Sequence, residues 1–333
     1  MTTRPATILL THTPRMRRDY YGARALEGLR ALGTVILHEH DEPLGGESLV
    51  AAARGVRIIV ADRNTPGAGA VFERSSDLVA FVRCAVDIRN VDVAAASAHG
   101  VLVTRASAGF VSAVTELVLG FLVDLARGVS RSVADYRAGR VPEAAMGRQL
   151  AGATLGVIGY GAIGRRVAAL GVALGMRVMV CDPHARVAEA GMQQVALEDL
   201  LAAADYVVCL AIANEETENL MNDDAFARMK PGAYFVNASR GNLVDEAALV
   251  RALEAGRIAG AALDVGRASD QMPTPALARR ADVIATPHVG GLTPQAIEHQ
   301  ALETVAQVAE ILAGRAPVGA ANASRATRLE RLA

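Results

Sequence analysis

The chain has 333 residues, of which 52% are hydrophobic and 21% are charged. At about 150 residues per domain, this length predicts roughly two domains, and the apolar content excludes an intrinsically disordered chain. Its 34 basic and 35 acidic residues leave no overall charge that would attract nucleic acid or a membrane surface, so we expect neither partner.

Three widely spaced cysteines, Cys84, Cys181 and Cys209, include no C-x-x-C pair. This spacing predicts neither a disulfide framework nor a zinc site, so we expect small core thiols in a reducing compartment and no metal. The first residues lack the apolar run of a signal peptide, and no stretch is apolar enough to cross a membrane. The sequence therefore predicts a cytoplasmic protein.

Short apolar runs alternate with helical patterns along the first third of the chain. The candidate strands are Thr7–Leu10, Val35–Leu37, Arg57–Val60, Val79–Val82 and Val101–Val103. This alternation predicts an α/β fold with a mostly parallel sheet. A long helix is predicted at Val111–Arg127, and a polar stretch follows at Arg137–Gln149.

A second α/β series begins at Thr154. Its candidate strands are Thr154–Ile158, Arg177–Cys181, Tyr206–Leu210, Ala233–Val236, Ala259–Leu263 and Val283–Ala285. A helix is predicted from Pro294 to about Leu312, and the tail from Gly314, rich in Ala, Gly and Arg, is predicted to be an arm or partly mobile. The chain thus divides into two α/β units near residue 105, and ligands of such folds bind at the carboxyl ends of the strands.

A glycine-rich loop follows the first strand of the second series. The sequence Gly159-Tyr-Gly161-Ala-Ile-Gly164 precedes a helical run at Arg165–Leu174. In a G-x-G-x-x-G loop, the first glycine permits the tight turn, the second lets a pyrophosphate approach the backbone, and the third allows close helix–sheet packing. The amides and dipole of the helix N-terminus then favour the phosphates. The pattern predicts a dinucleotide site.

An acid at the end of the next strand favours NAD. Asp182 lies 18 residues after Gly164 and directly follows the predicted strand Arg177–Cys181. A carboxylate there accepts hydrogen bonds from the ribose hydroxyls and repels a 2′-phosphate, so NAD is preferred to NADP. The nearby Arg186 is the one cation that could tolerate the phosphate.

Two further residues of catalytic type follow predicted strands. Arg240 comes before a glycine, and its planar guanidinium group can bind a carboxylate through two hydrogen bonds. His288 lies between a proline and a Gly-Gly pair, on a rigid loop. An isolated arginine or histidine is more often structural. Here, however, both lie at the same carboxyl edge as the glycine-rich loop, which favours a functional role.

The order of four motifs identifies a family. GVIGYGAIG, MKPGAYFVNASRGNLVDEAAL, AGAALDV and TPHVGG resemble the NAD-dependent D-2-hydroxyacid dehydrogenases, which include phosphoglycerate dehydrogenases. The resemblance is specific from about Leu155 to Gly291 and weaker but collinear before it.

This resemblance implies a two-lobed α/β architecture. A Rossmann-type NAD-binding domain at residues 106–288 would be inserted in a discontinuous, flavodoxin-like substrate domain at residues 1–105 and 289–333, with the active site in the cleft between them. It also implies a homodimer formed largely through the NAD-binding lobes, around the helix from Val111.

The resemblance further assigns residue roles. The catalytic residues would be Arg240, which binds the substrate carboxylate and polarises the ketone, and His288, which donates the proton. The cofactor contacts would be Gly159, Gly161 and Gly164 in the loop, Ala162 and Ile163 at the pyrophosphate, Asp182 at the ribose, and Ala238 and Asp264 at the nicotinamide.

The family's glutamate partner of the catalytic histidine is missing here. An ungapped comparison places Ser269 at that position. With one inserted residue, Asp270 takes the role, and we prefer this alignment because the family's apolar residue and proline then match the Met-Pro pair that follows. Gln271 is a third candidate, since the formate dehydrogenase branch pairs its histidine with glutamine.

The substrate loop also departs from the family. Ala85 and Asp87 stand where the family often has glycines whose amides bind the substrate carboxylate. The backbone N–H groups of Val86 and Asp87 can still serve, but the altered side chains leave the identity of the acid open.

The sequence therefore predicts an oxidoreductase that transfers hydride between NAD(H) and a D-2-hydroxy or 2-oxo acid. Two alternatives remain. One is a non-catalytic, NAD(H)-responsive binding protein resembling the corepressors of this fold, because fold alone does not fix function. The other is a dehydrogenase of the same fold that acts on another small anion, such as phosphite or formate.

Overall fold

A computed structural model describes residues 6–332 of the chain. The backbone divides into two compact units, Met1–Gly109 with Pro294–Ala333, and Phe110–Thr293. We call them the first and the second unit. The first division, after Gly109, lies four residues beyond the predicted boundary at 105. The second, after Thr293, lies five residues beyond the predicted boundary at 288.

The first unit contains a five-stranded parallel sheet. Its strands are β1 (Thr7–Leu10), β2 (Thr34–Leu37), β3 (Ile58–Ala61), β4 (Ala80–Arg83) and β5 (Leu102–Arg105), in the order β2-β1-β3-β4-β5. Between them lie α1 (Pro14–Tyr20), α2 (Ala23–Leu32), α3 (Gly46–Ala52), α4 (Gly69–Arg74) and α5 (Val93–Ala98). This is the flavodoxin-like order. The fully buried β3 is a continuous apolar run, as a strand covered on both faces requires, and β4 is equally buried and apolar except for its last residue, Arg83.

The second unit contains a seven-stranded parallel sheet. Its strands are β6 (Thr154–Ile158), β7 (Arg177–Cys181), β8 (Met192–Gln194), β9 (Tyr206–Cys209), β10 (Tyr234–Asn237), β11 (Gly260–Leu263) and β12 (Val283–Ala285). The order is β12-β11-β10-β9-β6-β7-β8, the Rossmann arrangement with one added strand. The order reverses between β6 and β9, so the crevice at the carboxyl ends of these strands is the expected ligand site.

The second unit also contains seven α-helices within the described residues. They are α6 (Val111–Arg127), α7 (Val129–Arg137), α8 (Ala162–Ala173), α9 (Leu197–Ala203), α10 (Asp223–Arg228), α11 (Glu246–Glu254) and α12 (Pro275–Ala278). The predicted bounds of α6 are confirmed. It ends at Gly128, whose φ of +64° is the left-handed conformation that commonly terminates helices. No helix within residues 6–332 is long and apolar enough to span a bilayer.

The last helix, α13 (Pro294–Leu312), has its predicted bounds, but the prediction of a mobile arm after Gly314 is wrong. The segment packs on the first unit, where Ala321 donates from its backbone N–H to Val103. The buried Arg328 donates to the carbonyl oxygens of Ser75 and Leu78. A composition of Ala, Gly and Arg gave no sign of these bonds.

One side chain of this segment allows a stability test. Asn322 is buried, accepts a hydrogen bond from the Val103 N–H at 2.8 Å and donates to Ser97 Oγ and the Val101 carbonyl. Because Asn322→Ala leaves buried backbone groups unpaired, we expect it to lower the free energy of unfolding by about 3 kcal/mol, measured by urea denaturation. Ser324→Ala, at an exposed position nearby, is the control and should have little effect. Equal effects would show that the segment is not part of the packed unit.

Candidate active site

The turn after β6 requires glycine at two positions. Gly159 has a φ of +95°, and a Cβ there would lie 2.6 Å from backbone atoms of Leu210 and Ala211. A Cβ on Gly164 would collide with the carbonyl oxygen of Gly159. These two glycines therefore hold the start of α8 against the end of the strand, as the sequence predicts.

The middle glycine is constrained differently. Gly161 precedes the first residue of α8 with a φ of −73°, and no heavy atom of the described chain lies within 4 Å of a Cβ built there. Nothing inside the described part of the protein demands a glycine at this position. The next residues, Ala162 and Ile163, present first-turn amides that α8 itself leaves unpaired, which is the arrangement that receives phosphate. Helix α8 begins three residues before the predicted helical run.

Asp182 lies beside this loop, just after β7. Its carboxylate accepts hydrogen bonds from the backbone N–H of Tyr160 at 2.6 Å, of His184 at 2.8 Å and of Ala185 at 3.0 Å. Burial raises the pKa of this carboxyl group, but the three bonds outweigh burial and hold its pKa below the usual range. The acid is thus ionised and fixed at the edge of the glycine-rich turn. Arg186 is exposed four residues later.

Arg240 follows β10 and is held by a residue that the sequence analysis missed. The buried Asn237 donates from Nδ2 to the carbonyl oxygen of Arg240 at 2.9 Å and accepts from the Ser239 N–H at 3.1 Å. Ser239 Oγ donates to the Ala211 carbonyl at 2.7 Å, which ties this turn to the end of the neighbouring strand. The half-buried guanidinium donates from Nη1 to the carbonyl oxygen of Ser239. Ala238 is buried in the same turn.

Asp264 follows β11 and is almost completely buried, with 2% exposure. Its Oδ1 accepts from Thr286 Oγ1 at 2.6 Å and from the Val289 N–H at 2.8 Å, and its Oδ2 accepts from the Gly290 N–H at 2.8 Å. The carboxylate therefore holds the loop after β12. A carboxylate has about four acceptor positions, so one remains for an outside donor such as a carboxamide.

His288 is carried by that loop in an unusual conformation. Its φ is +55°, a left-handed value rare for residues other than glycine, and its N–H donates to the carbonyl oxygen of Asp264 at 3.0 Å. The ring nitrogen Nδ1 lies 2.8 Å from the backbone carbonyl oxygen of Asp270. A carbonyl can only accept, so Nδ1 carries the hydrogen and Nε2 is the nitrogen available for proton transfer.

The three candidates for the missing glutamate share one short turn, Ser269–Gln271. Asp270 reaches His288 through its backbone oxygen, and its side chain is exposed. The Oε1 atom of Gln271 is buried without a hydrogen-bond partner among the described residues. Asp270 and Gln271 have φ values of +55° and +57°, so the backbone here is strained. The turn thus accepts the hydrogen bond of the imidazole through a main-chain oxygen.

The predicted substrate loop lies in the first unit, after β4. Arg83 is fully buried and donates to the carbonyl oxygen of Asp62 and, at 2.6 Å, to Asn90 Oδ1. Burial lowers the pKa of Arg83 to about 10. Asp87, in the half-buried segment with Val86, accepts hydrogen bonds from the Arg89 side chain.

Comparisons with known proteins identify the family of this chain. The profile described as "D-isomer specific 2-hydroxyacid dehydrogenase, NAD binding domain" matches residues 119–290. The chain belongs to the D-isomer specific 2-hydroxyacid dehydrogenase family. The matched segment contains the glycine-rich loop, Asp182, Arg240, Asp264 and His288, so the second unit is an NAD-binding domain.

Several relatives resemble this family member over most of its length. It is 34% identical to D-3-phosphoglycerate dehydrogenase of Rattus norvegicus over 85% of this chain and 54% of that protein. For D-3-phosphoglycerate dehydrogenase 2, chloroplastic, of Arabidopsis thaliana, the identity is 36% over 76% of this chain and 41% of that protein. The chain thus spans about half the length of the curated relatives it matches.

Solved structures resemble the chain over almost its full length. The TT0316 protein of Thermus thermophilus superposes with a TM-score of 0.84 at 31% identity, covering 95% of this chain and 99% of that one. D-lactate dehydrogenase of Aquifex aeolicus, complexed with NAD and lactic acid, superposes with a TM-score of 0.75 at 25% identity, covering 92% and 96%. The expected two-domain dehydrogenase fold is thereby confirmed.

The contrast between Gly161 and Gly164 yields a prediction. Gly161→Ala should leave the free energy of unfolding almost unchanged but weaken NADH binding about tenfold or more, because its methyl group would occupy the space in which we expect the pyrophosphate to approach the backbone. Gly164→Ala should instead lower the free energy of unfolding by about 2 kcal/mol or more. Fluorescence titration with NADH and urea denaturation measure the two effects. Full NADH affinity in the Gly161→Ala protein would place the cofactor elsewhere.

Proposed function

We propose that the chain catalyses hydride transfer between NAD(H) and a D-2-hydroxy acid or its 2-oxo acid. The observation that carries this proposal is that three adjacent parallel strands, β10, β11 and β12, are followed within three residues by Arg240, Asp264 and His288 respectively. A carboxylate-binding cation and a proton donor thus follow strands of the NAD-binding sheet, at the edge where ligands bind.

In reduction, Arg240 binds the substrate carboxylate and polarises the ketone with its fork of donors. His288 donates a proton from Nε2 to the oxygen as negative charge develops there. NADH, when bound, supplies the hydride. The bond from Nδ1 to the Asp270 carbonyl fixes the tautomer, so Nε2 gains and releases the proton. We retain the backbone N–H groups of Val86 and Asp87 as proposed donors to the substrate carboxylate, on the resemblance alone.

The cofactor contacts follow from the same geometry. We assign the amides of Ala162 and Ile163 to the pyrophosphate, and the ionised Asp182 to the ribose hydroxyls, where it disfavours a 2′-phosphate. The remaining acceptor position of Asp264 suits the nicotinamide carboxamide, and Ala238 is small enough to line the ring. Among residues 6–332, no cluster of three or more metal-binding side chains occurs.

The catalytic assignment is tested by a matched pair of variants. His288→Ala should cut the rate of 2-oxo acid reduction by roughly 10²–10⁴ and leave NADH binding nearly intact. Asp270→Asn retains the backbone oxygen and removes only the charge of an exposed side chain, so we expect it to keep the rate within a few fold. NADH oxidation against a panel of 2-oxo acids, followed over pH, measures both.

Two outcomes would contradict these roles. If the Asp270→Asn enzyme loses activity at a lower pH than wild type, the carboxylate charge, rather than the main-chain oxygen, sustains the protonated imidazole. If wild type oxidises NADH with none of the 2-oxo acids but binds NADH, the chain is the binding protein or acts on another anion.

We also propose that the chain forms a homodimer. None of the residues Val129–Arg137, which form α7, is buried, although Val129, Val133 and Tyr136 present apolar side chains there. Val141 and Met146, in the segment that follows, are 85% and 99% exposed. A row of exposed apolar side chains on consecutive elements is typical of a surface covered by a partner, and the family resemblance favours a second copy of this chain.

Sedimentation velocity tests this proposal. Wild type should sediment at twice the mass of the 34.7 kDa chain. Val133→Glu should dissociate the dimer because it places a charge in an apolar interface. Val318→Glu, at an exposed valine of the first unit, should not dissociate it. A monomer at micromolar concentration, or equal effects of both changes, would remove α7 from the interface.

The thiols support a cytoplasmic location, which we propose. Cys84, Cys181 and Cys209 all lie within the described residues and are free. Burial raises the pKa of Cys84 and of Cys209 to about 12, so these thiols are neutral and unreactive. Such cysteines suit a reducing compartment.

A further inference from the structure

The main-chain oxygen that binds His288 lies at the tip of a tightly folded loop. We call this segment, Gly266–Met272, the acceptor loop. The Gly266 N–H donates to the carbonyl oxygen of Gln271 at 2.8 Å, which joins the two arms of the loop. A Cβ on Gly266 would lie 2.8 Å from the carbonyl oxygen of Met272, so the arms are in close contact. The tip carries Asp270, whose carbonyl oxygen binds Nδ1 of the imidazole.

The tip of the acceptor loop has an unfavourable backbone conformation. Asp270 and Gln271 both have left-handed φ values, +55° and +57°. For residues other than glycine such values cost free energy, and they persist only where surrounding contacts fix them. The loop therefore needs attachments to the rest of the second unit if the Asp270 oxygen is to stay in one place.

Arg267, in the first arm of the loop, makes attachments of this kind. Its Nε donates to the carbonyl oxygen of Val244 at 3.1 Å, and its Nη2 donates to that of Asn242 at 3.0 Å. Its backbone N–H donates to Glu246 Oε1 at 2.9 Å. Because Asn242 and Val244 belong to the turn that follows Arg240, these bonds fasten the acceptor loop to that turn.

The guanidinium group of Arg267 also contacts a third segment. Its Nη2 lies 2.8 Å from Glu218 Oε1 and 2.6 Å from Asn219 Oδ1. A guanidinium presents its donors in a fixed planar arrangement, so contacts on several sides fix the direction of the side chain as well as its distance. A lysine at this position has a single nitrogen and could not serve the Val244 oxygen and this segment together.

The acceptor loop packs directly against the turn of Arg240. A Cβ on Gly241 would collide with the carbonyl oxygen of Gly266. Arg240, however, has an anchor of its own, because Asn237 Nδ2 donates to its carbonyl oxygen. Loss of the Arg267 side chain should therefore disturb the acceptor loop more than it disturbs Arg240.

We propose that Arg267 is a positioning residue for His288. By fastening the acceptor loop, it holds the Asp270 oxygen against Nδ1, which keeps the hydrogen on Nδ1 and leaves Nε2 for proton transfer. Asp264 holds the loop of the histidine itself, through the N–H groups that follow His288. The contribution of Arg267 to turnover rests on the proposed function, whereas its effect on the imidazole tautomer does not.

The tautomer is measured by 15N NMR of the full chain labelled at histidine, with His288→Ala identifying the signals of this residue. In the neutral imidazole of wild type we expect the hydrogen on Nδ1. Arg267→Met removes the donors at similar side-chain length, so a readily detected fraction of molecules should carry the hydrogen on Nε2 instead. Arg267→Lys keeps the charge beside Glu218 but loses part of the bonds, and should give an intermediate population.

Turnover provides a second readout. Arg267→Met should lower kcat for 2-oxo acid reduction about tenfold, the kinetic equivalent of one hydrogen bond. KM and the Kd of NADH should change less than about threefold, because Arg240 and the glycine-rich loop keep their own contacts. Arg267→Lys should recover part of the loss. The control, Arg251→Met, removes a cation from an exposed pair with Asp223 and should leave both the tautomer and kcat unchanged.

Urea denaturation shows whether each variant is folded, and if Arg267→Met is not, Arg267→Lys decides. The proposal is overturned by an unchanged tautomer in a folded Arg267 variant, by an equal change in Arg251→Met, or by a rise in KM at constant kcat. The last result would mean that Arg267 serves substrate binding at Arg240. A changed tautomer in a chain whose wild type reduces none of the 2-oxo acids would instead support the positioning of His288 and contradict the proposed function.

Discussion

A single buried carboxylate organises the loop after β12, at the carboxyl edge of the sheet in the second unit. Asp264 would be costly to bury as an ion, and the cost is offset because three donors from Thr286, Val289 and Gly290 surround it. These bonds hold both sides of His288, which has a left-handed backbone conformation in the loop after β12. The orientation of the imidazole, its bond to the Asp270 carbonyl and the availability of Nε2 all depend on this one anchor.

The parallel sheet explains how distant sequence segments form one site. Each of five strands delivers a functional group just after its carboxyl end, namely the glycine-rich loop after β6, Asp182 after β7, Arg240 after β10, Asp264 after β11 and the loop of His288 after β12. A strand buried on both faces tolerates little variation along its length, so the variable chemistry lies in the turns. Asn237 and Ser239 show the same principle, because their bonds serve to hold the turn that carries Arg240.

Much of this could be predicted because buried parallel strands and glycine turns have strong local signals. Eleven strands were predicted within two residues of their observed ends. The twelfth, β8, was missed because its polar Met-Gln-Gln sequence has no apolar run and lies at the sheet edge. The tail after Gly314 was predicted wrongly because its order depends on Asn322 and Arg328, whose partners lie more than 200 residues away. A sequence comparison assigns roles to side chains. It could not show, therefore, that His288 contacts a backbone oxygen of Asp270.

Lys230 is the only lysine in the chain, and it lies shortly before β10, at the amino edge of the sheet. Any acyl transfer to lysine side chains, by a laboratory reagent or in the cell, is therefore confined to this one position. Acylation would remove its positive charge and leave Asp205 without its ionic partner. A chain with 33 arginines and a single lysine thus concentrates its whole capacity for this type of covalent modification at one edge of its NAD-binding sheet.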